Sequence, residues 1–392
     1  MFRFLTAGES HGPALTVIVD GLPAGLEVTA EAVDRDLRRR QAGYGRGGRM
    51  AIEHDAVRVT GGVRLGRTIG GPVSMVIENR DYPAWTEAMS AGAAPKGAGD
   101  DTLRRVRRPR PGHADLAGSL KHDTHDARDV LERASARETT ARVAAGGLAR
   151  LFLERLGVAV ASHTLAVGTA AMPLEPEVPW DRIVAIPSDS PMRCADAAVE
   201  KKMVAEVDRA RAAQDSVGGV FQVVAAGVPA GLGSYRQWDT RLEARLGQAL
   251  LSIHAVKAVE IGEGVASASR FGSRVHDAIG YDPATRRFTR PTNRAGGIEG
   301  GMTNGQEVRA TAYLKPLSTL PRPLDTVDLI DKSPAQAVVE RTDTCVVPAA
   351  GVIGESMTAI VLAEAFLEKF GGDSMTETAR NLEGYLAQLE GY

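Results

Sequence analysis

Two short stretches set an imidazole among residues too small to shield it. They are Gly8-Glu9-Ser10-His11-Gly12 near the start and Arg110-Pro111-Gly112-His113-Ala114-Asp115 in the first third. An imidazole titrates near neutrality, so a reachable one can give or take a proton, and His11 and His113 are candidates for acid–base work. The first stretch also fits Gly-x-Ser-x-Gly, the nucleophile elbow of serine hydrolases, which would make Ser10 a nucleophile. An elbow needs a strand before the serine and a helix directly after it. Phe2 to Thr6 could be the strand, but Pro13 to Val19 reads as a second strand, so the hydrolase reading fails on context. Asp343, in Arg341-Thr342-Asp343-Thr344, precedes Pro348 and an apolar helical run to about Phe370 that stops at Gly371. It is either a plain charge at a helix start or a catalytic base.

Anion chemistry is suggested next. The net charge is only −2, yet Arg38, Arg39, Arg40, Arg46 and Arg49 form one cluster and Arg104, Arg105, Arg107, Arg108 and Arg110 another. Local clusters on a near-neutral chain suit a small polyanion, whereas nucleic acid needs an extended basic face. A solvated loop is the alternative for Arg104 to Arg107. Gly43 to Gly48 satisfies G-x-G-x-x-G, but it follows the helical Leu37 to Gln41 and precedes the strand-like Ala51 to Val59. That order is wrong for a dinucleotide turn and predicts a flexible, arginine-bearing loop. Ser135-Ala136-Arg137-Glu138 predicts a capping box opening a helix to about Leu156. Its first-turn amides, with Arg133 beside them, also suit an anion. Five glycines within Asn293 to Gly305 predict a loop whose amides form an anion-binding nest. No metal is expected: His122 and His125, with His113, Asp115, Asp123 and Asp126 nearby, lack helical ligand spacing and read as a polar turn. Cys194 and Cys345 stand alone, which argues against a disulfide scaffold.

The elements that must position these groups show an internal repeat. Ser10 to Leu26 recurs as Ser216 to Leu232 at a constant offset of 206 residues, with identical residues at positions 10, 12, 17, 21 and 23 to 26. Each copy reads as a strand running into Pro-Ala-Gly, followed by a helical pattern around Ala30 to Gln41 or Thr240 to Ser252. This favours a single α+β domain over 1–392, built of two related halves of about 1–205 and 206–392. The first residues are too short an apolar run for a signal peptide, and the longest apolar stretch, Val346 to Phe370, carries Glu355, Glu364, Glu368 and Lys369. A cytoplasmic protein with no membrane span is expected.

Taken together, several stretches closely resemble the motifs of the chorismate synthase family, in one order along nearly the whole chain. They are Gly8 to Gly12, Arg110 to Asp115, Ser135 to Val143, Asp189 to Cys194, Asp215 to Gly219, Lys257 to Gly262, Asn293 to Gly305 and Arg341 to Glu355. The resemblance implies a β-α-β sandwich of antiparallel sheets enclosing helices. It implies a carbon–oxygen lyase that eliminates phosphate, anti-1,4, from 5-enolpyruvylshikimate 3-phosphate to give chorismate, with reduced FMN and no net redox change. By the same resemblance His11 protonates the departing phosphate and His113 protonates the reduced flavin near N1. Asp343 works with flavin N5 to remove the C6 hydrogen, and Ser10 and Ser135 assist by hydrogen bonds. Flavin contacts are implied at Arg133, Ala134, Ser135, His254, Ala255, Gly300, Lys315, Pro316, Leu317, Ser318, Thr319 and Arg341. Arg40 and Arg46 match positions the family uses for NADP. With Arg49 they equally suit the phosphate and carboxylates of the substrate, and the anion role is preferred. A homotetramer is implied, with either NADPH or a separate flavin reductase supplying reduced flavin. Ala195 and Gln214 depart from the family's usual residues, and His254 occupies a flavin-contact position that varies in the family.

Overall fold

Apolar and polar residues alternate along Ala14–Asp20, and that period of two buries Leu15, Val17 and Val19 on one face. Val73–Glu78 repeats the pattern with Val73, Met75 and Ile77. In the computed structural model, which describes residues 2–48, 52–173 and 177–392, these strands form the centre of an antiparallel four-stranded sheet. Its order is Arg3–Ala7, Ala14–Asp20, Val73–Glu78, Arg58–Gly61. The strand expected from Ala51 begins only at Arg58, because Glu53 and Asp55 turn inward to pair with buried arginines.

A second antiparallel sheet runs Val256–Ile261, Val308–Leu314, Gly219–Ala226, Ala159–Val167, Ala170–Ala171. Its central pairing copies that of the first sheet. Val17 lies opposite Met75 and Val19 opposite Val73; Val223 lies opposite Ala310 and Ala225 opposite Val308. The turns match as well. Thr68 Oγ1 donates to Pro23 O and accepts from Leu26 N, while Thr303 Oγ1 donates to Pro229 O and accepts from Leu232 N. Gly25 and Gly231 take φ of +89° and +88°, a left-handed turn position that favours glycine.

Helices fill the space between the sheets. Thr139–Arg155 packs on the first sheet, Val347–Phe370 packs on the second, and the two pack on each other with Ala30–Gln41 alongside. A β-carbon on Gly146 would lie 2.3 Å from Ser356 Cβ, so glycine is what lets the two long helices approach. Val347–Phe370 is long and apolar enough to cross a membrane, but here it is the buried centre of the sandwich. Glu355, in its middle, accepts from Nη1 and Nη2 of Arg39 at 2.7 Å each, from Ser162 Oγ at 2.7 Å and from Arg150. That cluster ties three helices and the second sheet together through a buried charge that would be costly alone.

Candidate active site

His11 lies in the loop joining Arg3–Ala7 to Ala14–Asp20, a strand–loop–strand hairpin, so the helix an elbow serine requires is absent. The small neighbours do not leave its ring open to bulk water. Only 7% of His11 is exposed, because Trp85 stacks on it with centroids 3.8 Å apart and planes 22° apart. Glu132 Oε1 meets His11 Nδ1 at 2.8 Å, and Glu132 Oε2 accepts the His11 backbone N–H at 2.8 Å. Burial opposes ionisation of Glu132, but the hydrogen bonds from His11 and the charge of Arg128 outweigh it and hold the carboxyl below its usual range. Asn79 Nδ2 fixes the loop from below by donating to Glu9 O and Gly12 O.

His113 is oriented in a similar way. Its Nδ1 lies 2.5 Å from Asp115 Oδ1, against 3.1 Å to Arg110 Nη2, so the ring proton points at the carboxylate. Asp115 begins the helix Asp115–His122, is fully buried, and accepts from Arg110 Nε at 2.8 Å and Nη2 at 3.0 Å. Burial raises its cost of ionisation, yet His113 and Arg110 hold its carboxyl far below the ordinary range.

Asp343 sits in the segment leading into Val347–Phe370. Its Oδ1 accepts the Gly47 N–H at 2.5 Å, and its Oδ2 lies 3.3 Å from Arg46 Nε. The Gly43 to Gly48 loop is therefore docked, contrary to the flexible loop expected. Tyr44 N donates to Pro191 O, Tyr44 Oη to Asp208, and Thr344 N to Gly45 O.

These groups meet in one cavity of about 530 Å³. Ser10, His11, His113, Ser135 and Asp343 all line it, with Arg40, Arg46, Arg110, Arg137, Lys315 and Arg341 as its cations. Arg40 is buried, with Nε on Thr139 Oγ1 and Nη1 3.3 Å from Asp55. Burial pushes its guanidinium down to about 10, with Arg137 and Arg46 beside it working the same way against Asp55. Lys315 donates to Gly112 O, and no ion pair with a carboxylate is seen for it among the described residues; burial and Lys257 lower its pKa. Such an ammonium facing a cavity marks a place for an anionic group. Leu131, Ile253, Val346, Ala349 and Ile353 supply an apolar wall. Beside it, the His254 Nδ1 is buried without a hydrogen-bond partner, and Ala255 takes a φ of +68°.

Of the implied flavin contacts, Ala134, Ser135, His254, Ala255, Lys315, Leu317, Ser318, Thr319 and Arg341 line the cavity; Arg133, Pro316 and Gly300 do not. Arg133 donates instead to Thr6 O and Gly8 O, and Gly300 sits at an exposed hairpin tip. Arg49 lies outside the described residues.

Two local expectations change. Ser135 caps Arg137 N rather than Glu138 N, and the Glu138 carboxylate turns to Thr6 and Arg142, so a short 3-10 turn precedes the helix. The nest at Asn293 to Gly305 is filled by the chain's own Asp277, whose oxygens accept from Arg294 N and Ala295 N at 3.0 Å each. Arg137, Glu132 and Trp85 were not singled out in the sequence. Their partners (Asp55, His11 and Arg104) are distant in the chain, so no spacing announces them.

Comparison with known proteins identifies the family and agrees with the fold. A family model described as chorismate synthase matches residues 2–367. The chain is 55% identical over 394 residues to the chorismate synthase of Solibacter usitatus, covering all of both chains. It is 56% identical to that of Desulforudis audaxviator, over 99% of this chain and 98% of that one. A solved structure titled "Crystal Structure of Chorismate Synthase" superposes with a TM-score of 0.80 at 36% identity, covering 100% of this chain and 99% of the other. The sandwich is shared with a solved chorismate synthase and the family model spans nearly the whole sequence: the chain belongs to the chorismate synthase family, whose members are biosynthetic lyases.

Proposed function

We propose that the protein converts 5-enolpyruvylshikimate 3-phosphate to chorismate and inorganic phosphate by anti-1,4-elimination. The observation that carries this reading is the convergence of His11, His113 and the Asp343 carboxylate on one cavity lined by six cationic side chains. A substrate bearing a phosphate and two carboxylates needs several guanidinium partners, and charge developing on the departing phosphate is best met by donors already in place. His11, its Nδ1 committed to Glu132, gives its Nε2 proton to the leaving phosphate oxygen as the C3–O bond breaks. Asp343, held by Gly47 N–H and Arg46, stands as the base on the C6 side.

The cavity fits a flavin mononucleotide. Its apolar wall can take a planar ring, the unpaired His254 Nδ1 a polar edge, and Lys315 with Ser318 and Thr319 the phosphate. When bound in its reduced form, that cofactor supplies electron density to the carbon losing phosphate and recovers it, so no net oxidation occurs. Arg40, which is buried, and Arg46 line the same cavity as His11 and Asp343, which favours an anion bound beside those groups over NADP. The family likeness is what supports a cytoplasmic homotetramer that uses reduced flavin, supplied either through NADPH or by a separate reductase.

The test is anaerobic incubation of the purified protein with dithionite-reduced FMN and substrate, following phosphate and chorismate. Stoichiometric release of both is expected, and no product overturns the proposal. His11→Ala and His113→Ala should each lower kcat by about 10²- to 10⁴-fold without unfolding the protein. Replacing dithionite by NADPH separates self-reduction from dependence on another enzyme.

The same likeness of sheets supports one domain of two related halves. Ala159–Val167 takes the place of Arg3–Ala7 in the second sheet's strand order, which favours a join just before Ala159 rather than near residue 205.

A further inference from the structure

We propose that Glu132 is a positioning residue for His11, fixing the imidazole with its resident proton on Nδ1 so that Nε2 faces the reacting phosphate. The proposal rests on the reading of His11 as the proton donor. Glu132 grips the histidine at two points, the ring nitrogen and the backbone N–H, each at 2.8 Å, while its own carbonyl accepts Ser10 N at 2.9 Å. One residue of the helix Arg128–Ala134 thus sets both the loop's path and the ring's rotation.

The other acids near the ring are committed elsewhere. Glu340 accepts from Arg128 Nη2 at 2.9 Å, and Asp81 pairs with Arg341 and accepts from Trp85 Nε1 at 3.3 Å. Glu132 is therefore the carboxylate in contact with His11. Trp85 fixes the remaining freedom. Its ring lies flat on the imidazole and is itself under the Arg104 guanidinium, 3.9 Å from its centroid. Which nitrogen of a histidine is the reactive one is decided by the hydrogen bond the other makes.

The proton balance follows. His11 as imidazolium donates its Nε2 proton to the bridging phosphate oxygen, which takes the C3–O electron pair as it leaves. The ring is left neutral, its proton still on Nδ1 and hydrogen-bonded to the Glu132 carboxylate.

Isotope-labelled histidine NMR on the ligand-free protein reads the tautomer of His11 without turnover, the signals being assigned by their loss in His11→Asn. In Glu132→Met the neutral ring should leave the Nδ1–H form, and kcat should fall about 10²-fold with KM held within about threefold. In Glu132→Gln, which keeps the shape and one acceptor, the Nδ1–H form should persist and kcat should fall about tenfold. An unmoved tautomer in Glu132→Met overturns the positioning role and leaves the acid assignment standing. A moved tautomer with unchanged kcat overturns His11 as the acid, and the positioning role with it. Should Glu132→Met not fold, an unchanged kcat in Glu132→Gln overturns the proposal on its own.

Discussion

A β-carbon on Gly47 would sit 2.4 Å from the Thr342 carbonyl oxygen, while the Gly47 N–H holds Asp343 Oδ1. The two chain segments can meet there only because one of them lacks a side chain. Gly47→Ala must push the loop away from Asp343, and displacing a catalytic group by about 1 Å can cost 10²-fold in rate. Steady-state assays should therefore show kcat reduced by about that factor, with the melting temperature nearly that of the parent. A variant with parental kcat would show that Asp343 does not depend on this contact. Candidates marked by their own type were legible in the sequence: His11 and His113 stand out among small neighbours, and Asp343 by its charge ahead of a helix start. Residues whose role is relational were not. Arg137 has Asp55 as its partner, and Glu132 has His11, 121 positions away.

At the level of elements, the two Pro-Ala-Gly turns are held by the same device, a threonine hydroxyl bridging a carbonyl and an amide. Both Thr68 and Thr303 are 3% exposed, so neither lost bond can be replaced by bulk water. Thr68→Val and Thr303→Val should each cost about 1–3 kcal/mol in urea unfolding, by similar amounts. A cost at one turn alone would mean that the matched geometry does not carry matched energy. Turns and helix ends were readable from sequence because they are local, as at Pro348 and Gly371 near the ends of the long helix. Where an element's polar groups are satisfied was not readable. Asp277 fills the glycine-rich nest, and Glu138 abandons its capping box for Thr6.

Across the whole molecule, Glu355 is the charge on which the layers converge. Burial opposes its ionisation, but Arg39 and Arg150 outweigh that and hold its carboxyl well below the ordinary range. A depressed carboxyl contributes stability that is fully present above its unfolded value, about 4.3, and is lost as the pH falls further. Glu355→Gln should therefore be about 3–5 kcal/mol less stable than the parent near neutral pH by urea unfolding. The gap should narrow as the pH drops below about 4. A gap independent of pH would assign the loss to packing rather than charge. The layered fold itself was foreseeable from the repeat, since two similar halves must each bury an apolar face. The charge cluster between them was not, because Arg39, Arg150 and Glu355 lie on three different helices. The long helix has one more consequence, for the order of biosynthesis. It covers the inner face of the second sheet and packs on the helix that covers the first, yet it follows every strand of both sheets in the sequence. A nascent chain therefore leaves the inner face of the second sheet, and the side of Thr139–Arg155 turned toward it, uncovered until residues 347–370 have been made.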